Sequence, residues 1–573
     1  MGFTLPWDKS WTKGWDASFI ARRDNIAPRL SGLTAWYDFS DSTYLTLSST
    51  AIRQALDRSG NGNDTAVQGT GSARPTFTAS QINGLSAGVF DGGDTLALPA
   101  ALYTIPAGNN TIFTVAAPTD LGQGAVIEFS ESADSVETIR YGLTTNSVAY
   151  KNYTAPGILE SLTFDTLVPN IITVFRSGTT ESISINGGTA VTDSSGGNVT
   201  GISSAYLGSS AGDVPFFTGK LGEVLVYNRA LTAAEITSVQ NYLSAKWSVA
   251  LATPFISSWK TNNTGVSTST QIKIPTVSTG VYNCSVNWGD GSTSAITTYN
   301  DAAWTHTYSG AGTYTVTITG VFRGLRFNNG GDRQKLLNIS QWGSEFRLGT
   351  TENGYLYGCI NLTITATDIL DLTDTTNLAS TFRLCSAITT IPSINSWNMT
   401  SVTTLANFIQ QAPLFNQALT LNIPACTTLQ GAINSCTNFN SPVNLTTSAS
   451  LTSTLNMCLT CINFAGSITI SNTTGVTNMA TTFSGCTVAN PDASTWSIAS
   501  LTNATNMFLN SGFDKTNYNK LLDSATGWPS QATIQSSVPF GAGTAHYDGA
   551  NAIAGRLVLT GTKGWTISDS GTP

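Results

Sequence analysis

Charged side chains are scarce in this chain: only 10% of its 573 residues are Asp, Glu, Lys or Arg, and the formal net charge is −8. Because phosphate binding needs clustered Lys and Arg, this composition excludes a nucleic-acid partner. Long hydrophobic runs are also lacking, and no apolar stretch reaches the roughly 18 residues that a membrane-spanning helix requires. We therefore expect no membrane span and a polar surface built mainly from Ser, Thr, Asn and Gly.

Histidine is nearly absent, and the two residues present, His306 and His546, lie more than 200 positions apart. Neither stands in a sequence pattern typical of Ser/His/Asp catalysis. We therefore assign His306 a structural role and predict that the protein is not an enzyme.

An export signal is missing as well. Residues 1–8 have no basic region followed by an apolar core, so we expect no secretory signal peptide. The first 30 residues instead carry four aromatic residues at intervals of four, which on a helix would form one stripe: Trp7, Trp11, Trp15 and Phe19. Large exposed aromatic side chains at a terminus favour docking into a partner protein. The alternative is an arm that folds back onto its own domain.

A repeat of about 25 residues organises residues 378–513. One apolar column advances in steps of 26, 25, 25, 25 and 25 residues: Phe382, Phe408, Ile433, Cys458, Phe483 and Phe508. A second column follows three residues later in each unit: Cys385, Gln411, Cys436, Cys461, Cys486 and Ser511. Leu356 and Cys359 extend both columns by one unit. Such a period predicts a solenoid, in which each unit is too small to bury its own apolar face and stacks on its neighbours.

Most of the cysteines are explained by this repeat, since five of the eight occupy the second column. A free Cys behaves as a small hydrophobic residue, which suits a buried column. Cys458 and Cys461 are the only pair at C-x2-C spacing, and no second pair or nearby histidine completes a zinc site. We predict free core thiols and no metal site, which is compatible with assembly in a reducing cytoplasm.

Each unit also contains a short run of alternating apolar and polar residues, which predicts one strand. These runs are residues 396–399, 419–423, 443–445, 467–470 and 495–498. The apolar residues before the cysteine column, for example Met479, Phe483 and Cys486, are spaced four and then three apart and predict one or two helical turns. A strand and a helical turn per unit is typical of leucine-rich-repeat-like geometry.

Residues 31–250 are short apolar runs separated by Gly, Asn and Asp turns, the pattern of an all-β sandwich. The stretches LTAWYD (33–38), DRSGNGN (57–63) and GKLGEVLVYNRAL (219–231) resemble the laminin-G-like members of the concanavalin-A-like jelly-roll superfamily. Further matching segments are residues 83–85, 89–92, 233–236, 242–243 and 246–247. The resemblance implies a β-sandwich that often binds glycans or proteins, in some cases with calcium.

One loop of this region has oxygen atoms of the kind that coordinate Ca²⁺, on Asp57, Asn61, Asn63 and Asp64. The same side chains serve equally to bond the backbone of a turn. We favour the turn and keep calcium as the alternative, with no other cofactor expected.

Some members of the superfamily are glycosidases, which need two carboxylates facing each other across the scissile bond. The glucanase branch supplies them from one strand as E-x-D-x-x-E. The nearest candidates are Glu131, Asp134 and Glu137, whose spacing puts Glu131 and Asp134 on opposite faces of a strand. We therefore interpret these three residues as part of a solvated loop.

Residues 251–338 form a second β module with the segments CSVNWGDGS (284–292), HTY (306–308) and GTYTVTI (312–318). These resemble PKD-type immunoglobulin-like domains, whose hallmarks are W-G-D-G, H-x-Y and G-x-Y-x-V. The resemblance implies a spacer or cohesive module.

From about residue 254 to 567 the chain also resembles the BspA-like surface-repeat family of mycoplasma lipoproteins and phage proteins. The segments FISSWKTNN (255–263), NMATTFSGC (478–486) and GWTI (564–567) carry this resemblance. The second is the nearest copy of the family motif M-x-x-M-F-x-x-C, from which the other repeats have drifted. The resemblance implies surface display and binding, and it establishes no enzymatic activity.

These patterns together predict a mainly β protein in five parts. The parts are an N-terminal anchoring arm (1–30), a concanavalin-A-like, laminin-G-like jelly-roll sandwich (31–250), an immunoglobulin-like PKD-type sandwich (251–338), a leucine-rich-repeat-like solenoid of ~25-residue units (339–520) and a C-terminal cap (521–573).

The predicted function is that of a non-enzymatic bacteriophage structural protein, made in the host cytoplasm and displayed on the virion. Its expected partners are other virion proteins, through the arm, and a host-surface glycan or protein, bound weakly by several copies or a homo-oligomer. A tail fibre or receptor-binding protein is the first placement, and a capsid head fibre or decoration protein is the alternative. A glycan depolymerase, or an adhesin on the bacterial cell surface, are the alternatives of another class.

Overall fold

The computed structural model describes residues 29–119, 124–131, 134–141, 147–152, 158–163, 168–188, 190–194, 201–209 and 216–573. They divide into two compact units, the first ending at Ala252 and the second running from Thr253 to Pro573. The predicted docking residues of the arm lie outside the described residues: Trp7, Trp11, Trp15 and Phe19. In the ranges above, no helix is long and apolar enough to cross a lipid bilayer.

Two antiparallel sheets form the first unit. Its strands are β1 (Leu33–Asp38), β2 (Leu45–Ser48), β3 (Ala51–Ala55), β4 (Thr76–Ile82), β5 (Leu85–Asp91), β6 (Leu96–Ala97), β7 (Asn110–Pro118), β8 (Gly124–Glu131), β9 (Asp134–Tyr141), β10 (Ser147–Asn152), β11 (Ile158–Thr163), β12 (Asn170–Ser177), β13 (Thr180–Ile185), β14 (Val191–Asp193), β15 (Ser204–Leu207) and β16 (Thr218–Tyr227). The larger sheet has the order β14-β13-β12-β7-β16-β5-β4-β3-β2, with β1 also paired to β16, and the smaller one β11-β10-β9-β8-β15-β6. Helix α1 (Ala233–Trp247) follows the last strand.

Strand β16 shows why the larger sheet is covered on both faces. Its residues alternate, so Val224 and Val226 enter the core between the two sheets, whereas Leu225 and Tyr227 pack against α1. The helix begins with a capping box, in which the Thr232 hydroxyl and the side chain of Glu235 bond each other's backbone N–H groups. The outer face of the smaller sheet is the side that turns away from both of these cores.

The second unit, which is described throughout, is also built mainly from strands. They are β17 (Phe255–Lys260), β18 (Gln271–Lys273), β19 (Thr276–Asn287), β20 (Thr293–Ile296), β21 (Thr305–Thr307), β22 (Thr313–Leu325), β23 (Leu336–Gln341), β24 (Phe346–Arg347), β25 (Thr363–Ile364), β26 (Leu419–Asn422), β27 (Val443–Thr446), β28 (Ile468–Ile470), β29 (Pro539–Gly541) and β30 (Thr566–Ser568). Its helices are α2 (Lys515–Leu522) and α3 (Ala550–Leu557), and a π-helical turn (Val558–Thr562) extends α3.

The first part of this unit runs without a break into the repeats. Its main sheet has the order β20-β19-β22-β17-β23-β25, and β23 pairs with β25 in parallel through Asn338 and Thr363. A single hydrophobic core extends from Phe255 to Trp565. The second β module and the repeats therefore share one sheet and one core.

Three of the five predicted repeat strands are confirmed, as β26, β27 and β28 pair in parallel. Residues 396–399 and 495–498 do not form strands, because side chains replace the backbone ladder beside them. The Asn395 amide donates to Ala418 O at 3.0 Å and accepts from Thr420 N at 2.8 Å. The Thr473 hydroxyl likewise accepts from Ser497 N at 2.6 Å.

The prediction of helical turns before the cysteine column is wrong. Every second N–H group donates to a carbonyl of the following coil, as Leu378 N does to Thr404 O at 3.2 Å. The N–H groups between them donate to the carbonyl three residues earlier, as Thr381 N does to Leu378 O. Each coil has two residues with left-handed backbone, four positions apart, and these break any helix. The pairs are Ser380/Leu384, Asn407/Gln411, Gly431/Ser435, Asn456/Thr460, Thr481/Gly485 and Asn506/Asn510.

Hydrogen bonds between coils also show that both predicted columns are displaced by one residue in the second repeat. The Cys436 thiol donates to Ile409 O at 2.9 Å, as the Cys461 thiol does to Ile433 O. Ile409, and not Phe408, is therefore the equivalent of Phe382. Phe408 is itself buried, so hydrophobicity could not separate the two candidates.

The cysteine column shifts by one residue in the same way. Ala412 is fully buried and takes the place predicted for Gln411, which is exposed and has a left-handed φ of 59°. All eight cysteines are free and buried, which confirms the prediction of core thiols.

The C-terminal end of the stack is closed by later residues of the chain. Strand β29 continues the ladder, since Ala504 N donates to Pro539 O at 2.9 Å and Phe508 N to Gly541 O at 3.0 Å. These bonds satisfy N–H groups that the last coil would otherwise leave unpaired.

Candidate functional site

The segments that carry the laminin-G-like resemblance meet in a buried network of charges beneath α1. Lys246 Nζ lies 2.7 Å from Asp38 Oδ2 and 2.8 Å from Glu223 Oε2. Arg58 pairs with the same Asp38 oxygen, and its guanidinium group lies 4.4 Å from the ring centroid of Trp36. The network joins β1, the loop after β3, β16 and the helix.

Glu223 is the centre of this network and is fully buried. Besides the Lys246 ammonium, it accepts hydrogen bonds from Trp36 Nε1 at 2.6 Å, Tyr242 OH at 2.9 Å and Trp247 Nε1 at 2.7 Å. Burial raises the pKa of Glu223, although Lys246 opposes that shift. Because its oxygens are occupied by four donors, the carboxylate fastens α1 to the sheet and is not placed to act on a ligand.

The predicted calcium loop shows the turn chemistry that we favoured. The Asp57 carboxylate accepts from the backbone N–H groups of Trp36 and Asn63, both at 3.0 Å. Asp64 Oδ1 accepts from Asp57 N at 2.7 Å, and the amides of Asn61 and Asn63 donate to carbonyl groups of β1. In the part of the chain that the structure describes, no three or more His, Cys, Asp or Glu side chains are grouped to hold a metal ion. Calcium binding at this loop stays a prediction.

The outer face of the smaller sheet carries a polar pair beside one partly exposed aromatic ring. Along β8, Ile127 and Phe129 enter the core, so Glu128 and Ser130 project from the opposite face. The Ser130 hydroxyl donates to the Glu128 carboxylate, and the half-buried Tyr206 of β15 is paired with Glu128 across the ladder. Glu128 and Ser130 are fully buried, so the partly exposed Tyr206 ring is the member of this set that can pack against a sugar ring. This set was not predicted, although the alternation in IEFSE (127–131) is a signal for it.

A carboxyl group with an altered pKa lies next to this sheet, just before β6. Asp94 is 3% exposed, and its carboxylate accepts from Asp91 N at 2.9 Å. Burial and, more weakly, the neighbouring Asp91 charge raise the pKa of Asp94 to about 6, against the effect of that hydrogen bond. Its charge therefore changes in a pH range in which Asp is normally fully ionised.

The acidic group predicted to be a solvated loop is instead part of a hairpin. Glu131 ends β8 and is paired with Asp134, the first residue of β9, and Glu137 is paired with Phe129. The side chains of Glu131, Asp134 and Glu137 lie outside the described part of the structure. The loop prediction is wrong for the backbone, because two strands pair across these residues.

His306 lies in a Ser/His/Asp cluster that the sequence analysis did not find. Its Nε2 is 2.8 Å from Asp290 Oδ2 and 3.3 Å from Ser292 Oγ, and Ser292 also donates to Asp290 Oδ1 at 2.5 Å. In a hydrolytic triad the carboxylate and the hydroxyl contact opposite nitrogens of the imidazole, and here they share one. The ring stacks on Trp288 with centroids 4.8 Å apart, so the cluster is suited to holding a strand end together.

A column of threonines runs along one face of the repeats. In six successive coils the hydroxyl donates to the carbonyl of the preceding threonine, at 2.9 to 3.3 Å. The column comprises Thr350, Thr376, Thr403, Thr427, Thr452, Thr477 and Thr502. Because the donors of the last six are used within the column, those hydroxyls present only acceptor lone pairs outward.

Two family models match parts of the chain. Residues 90–237 match the concanavalin A-like lectin/glucanases superfamily, and the first unit therefore contains a concanavalin-A-like domain. Residues 376–461 and 427–531 match the family described as mycoplasma protein of unknown function, DUF285. No curated protein sequence matches the chain.

Several solved structures are similar in part. Trypanosoma rangeli sialidase in complex with sialic acid is 14% identical over 39% of this chain and 37% of its own, with a TM-score of 0.30. Domain 4 of the Geobacillus stearothermophilus arabinanase AbnA, in complex with arabinotriose, is 20% identical over 36% of this chain and 98% of its own, with a TM-score of 0.27. The Ruminococcus gnavus sialidase CBM40 bound to sialyllactose is 16% identical over 25% and 87%, with a TM-score of 0.22. The matched region spans little more than a third of the sialidase.

Proposed function

We propose that this protein is a non-enzymatic structural component of a bacteriophage particle, of the tail-fibre or receptor-binding type, which binds a host-surface glycan. The observation that carries the glycan part is the outer face of β8 and β15, where the partly exposed ring of Tyr206 lies beside the buried Glu128 and Ser130 in a concanavalin-A-like domain. Single sites of this kind bind sugars weakly, and several copies on one particle raise the avidity without new contacts.

The rest of the chain suits display on a particle. In this proposal residues 251–338 are a PKD-like module and residues 339–520 a leucine-rich-repeat-like solenoid, which project the chain from its anchor. The arm with Trp7, Trp11, Trp15 and Phe19 docks into other virion proteins. The eight free thiols support folding in a reducing host cytoplasm before release by lysis.

The first experiment locates the chain by cryo-electron microscopy of particles purified from a lysate. Density at the tail is the expected result, and density on the capsid would identify a head fibre or decoration protein instead. Absence from every particle would overturn the virion proposal and favour a free adhesin or depolymerase.

The glycan part is tested separately, by binding of the full-length chain to host cells and to glycan arrays. We expect Tyr206→Ala to lose most of the binding, because it removes the aromatic contact while leaving the core side of β15 intact. Tyr299→Ala is the matched control, since Tyr299 is 44% exposed and lies in the second unit. Equal binding by both variants would refute the assignment of this face.

A further inference from the structure

A small pocket in the second unit is not used by the proposed function. Its volume is about 100 Å³, and it lies between the start of β19 and the turns that follow β24. Its walls comprise Val277, Thr279, Gly280, Val281, Arg323, Arg347, Gly349, Thr350, Thr373 and Asp374.

One wall of the pocket is a large bulge in β19, held in a fixed shape. Between the pairs Thr276–Leu325 and Val281–Arg323 the register shifts, so that β19 contributes more residues than β22. The Tyr282 hydroxyl fixes the bulge, as it accepts from Val277 N at 3.0 Å and donates to Gly324 O at 2.8 Å.

Two glycines let the chain pass close to that hydroxyl. A Cβ at Gly280 would lie 2.2 Å from the Tyr282 oxygen, and one at Gly324 would lie 2.6 Å from it. Gly324 also has a φ of 121°, which other residues rarely adopt. The wall is therefore preformed and does not depend on a ligand for its shape.

The pocket is also lined by arginines that are already paired with carboxylates. Arg347 Nε lies 2.7 Å from Asp371 Oδ2 and its Nη1 3.0 Å from Asp374 Oδ2, while Arg323 Nη2 lies 3.3 Å from Glu345 Oε2. With Glu352, which bonds to the Thr279 hydroxyl, four carboxylates surround two guanidinium groups. This surplus of negative charge disfavours an anionic ligand, and the guanidinium groups disfavour a cation.

Unused hydrogen-bonding capacity remains at the pocket. Within residues 253–573, all of which are described, Arg323 Nε is a buried donor without a hydrogen-bond partner. The hydroxyl of the fully buried Tyr355 is also unpartnered there, and it lies 3.3 Å from the Cβ position of the pocket residue Gly349. Buried polar groups are rarely left unpaired, so a bound water is expected beside these two donors, next to the pocket.

We propose that this pocket binds one neutral sugar unit. Arg347 and Asp374, which both line the pocket, present a donor beside an acceptor, which matches two neighbouring hydroxyls of a sugar ring. Val281, 57% exposed at the rim, offers an apolar surface for the ring's C–H groups. The small volume admits only one edge of a single sugar ring and excludes an extended oligosaccharide.

The test uses saturation-transfer difference NMR on the full chain carrying Tyr206→Ala, so that the site proposed in the first unit does not contribute. The probes are glucose, galactose, mannose and N-acetylglucosamine, with glucuronate and N-acetylneuraminate as acidic comparisons. Asp374→Asn removes a charged acceptor at a side chain that is 69% exposed, and Asn tolerates the left-handed backbone there. Thr373→Trp places a bulky side chain over the pocket from an exposed position.

We expect at least one neutral sugar to bind, about tenfold more weakly to Asp374→Asn and not at all to Thr373→Trp. Asp548→Asn, which changes an exposed carboxylate paired with Lys515, is the control and should bind as the parent does. Binding of the acidic sugars alone, equal binding by all variants, or no binding of any neutral sugar would each overturn the proposal. None of these outcomes bears on the Tyr206 face, because that face is tested by comparing glycan binding of the parent chain and of Tyr206→Ala.

Discussion

Replacing Glu223 by Gln should destabilise the first unit strongly. The substitution removes the charge that faces Lys246 and turns one of two acceptor oxygens into a donor. The indole N–H of Trp36 or Trp247 then faces an N–H group in a site with no access to water. Breaking one partner of a buried ion pair typically costs about 3–5 kcal/mol, and we expect the loss to fall in that range.

Hydrogen exchange with mass spectrometry is the assay that isolates this effect, because a chain with two units need not unfold in a single step. At about 1.4 kcal/mol per factor of ten, peptides of β16 and α1 should exchange on the order of 100- to 4,000-fold faster, provided that they open with the whole unit. Peptides of the second unit should be unchanged.

Glu235→Gln is the matched control, since Glu235 belongs to the same helix but caps its exposed start and pairs with Arg229 at the surface. It should accelerate exchange far less than Glu223→Gln. If both variants exchange alike, or if Glu223→Gln leaves β16 protected, the network does not hold the helix in the way described.

Three further predictions concern other parts of the molecule. The pKa of Asp94 is raised to about 6, so its contribution to stability is full below the ordinary Asp value of about 4 and is lost as the pH rises through about 6. Asp94→Asn should therefore make the unfolding temperature of the first unit depend less on pH between about 4 and 6. Cys436→Ala should lower the free energy of unfolding by about 1 kcal/mol, because Ala412 already fills the equivalent site in another coil. Cys436→Leu should lower it by about 1–3 kcal/mol through overpacking. Urea unfolding measures both, and an equal loss in the two variants would contradict the buried cysteine column. Tyr282→Phe should speed hydrogen exchange of residues 276–282 only, and faster exchange throughout β22 would show that the hydroxyl supports more than the bulge.

Sequence reasoning recovered the elements whose signal is local. Alternation of apolar residues predicted β1, β26, β27 and β28, and the fixed period predicted stacking of the coils. It failed where a side chain or a left-handed residue takes over a backbone role. The Asn395 side-chain amide makes the hydrogen bonds that a strand backbone would make, and the left-handed backbone of Ser380 interrupts the predicted helical turn.

The candidate site was missed for a different reason. The motif E-x-D-x-x-E groups several carboxylates in one short stretch, and its nearest match begins at Glu131 and not at Glu128. Which residues of β8 face outward depends on the neighbouring strand β15, which is contributed by residues about 75 positions later. The charges around Arg347 are separated by turns in the same way, and only the stacked coils bring them to one pocket.

The order of hydrogen bonds between coils has a consequence for how such a protein changes its reach. Leu429 N and Thr454 N make the same bond to the next coil, to Ser453 O and Asn478 O respectively. Removal of residues 429–453 would therefore join two equivalent points and leave the ladder, the threonine column and both ends intact. Each such excision or duplication would alter the length of the stack by about 4.8 Å, the spacing of neighbouring strands. The length of the stack can therefore change in evolution by one coil at a time, without a change in how the interior side chains pack.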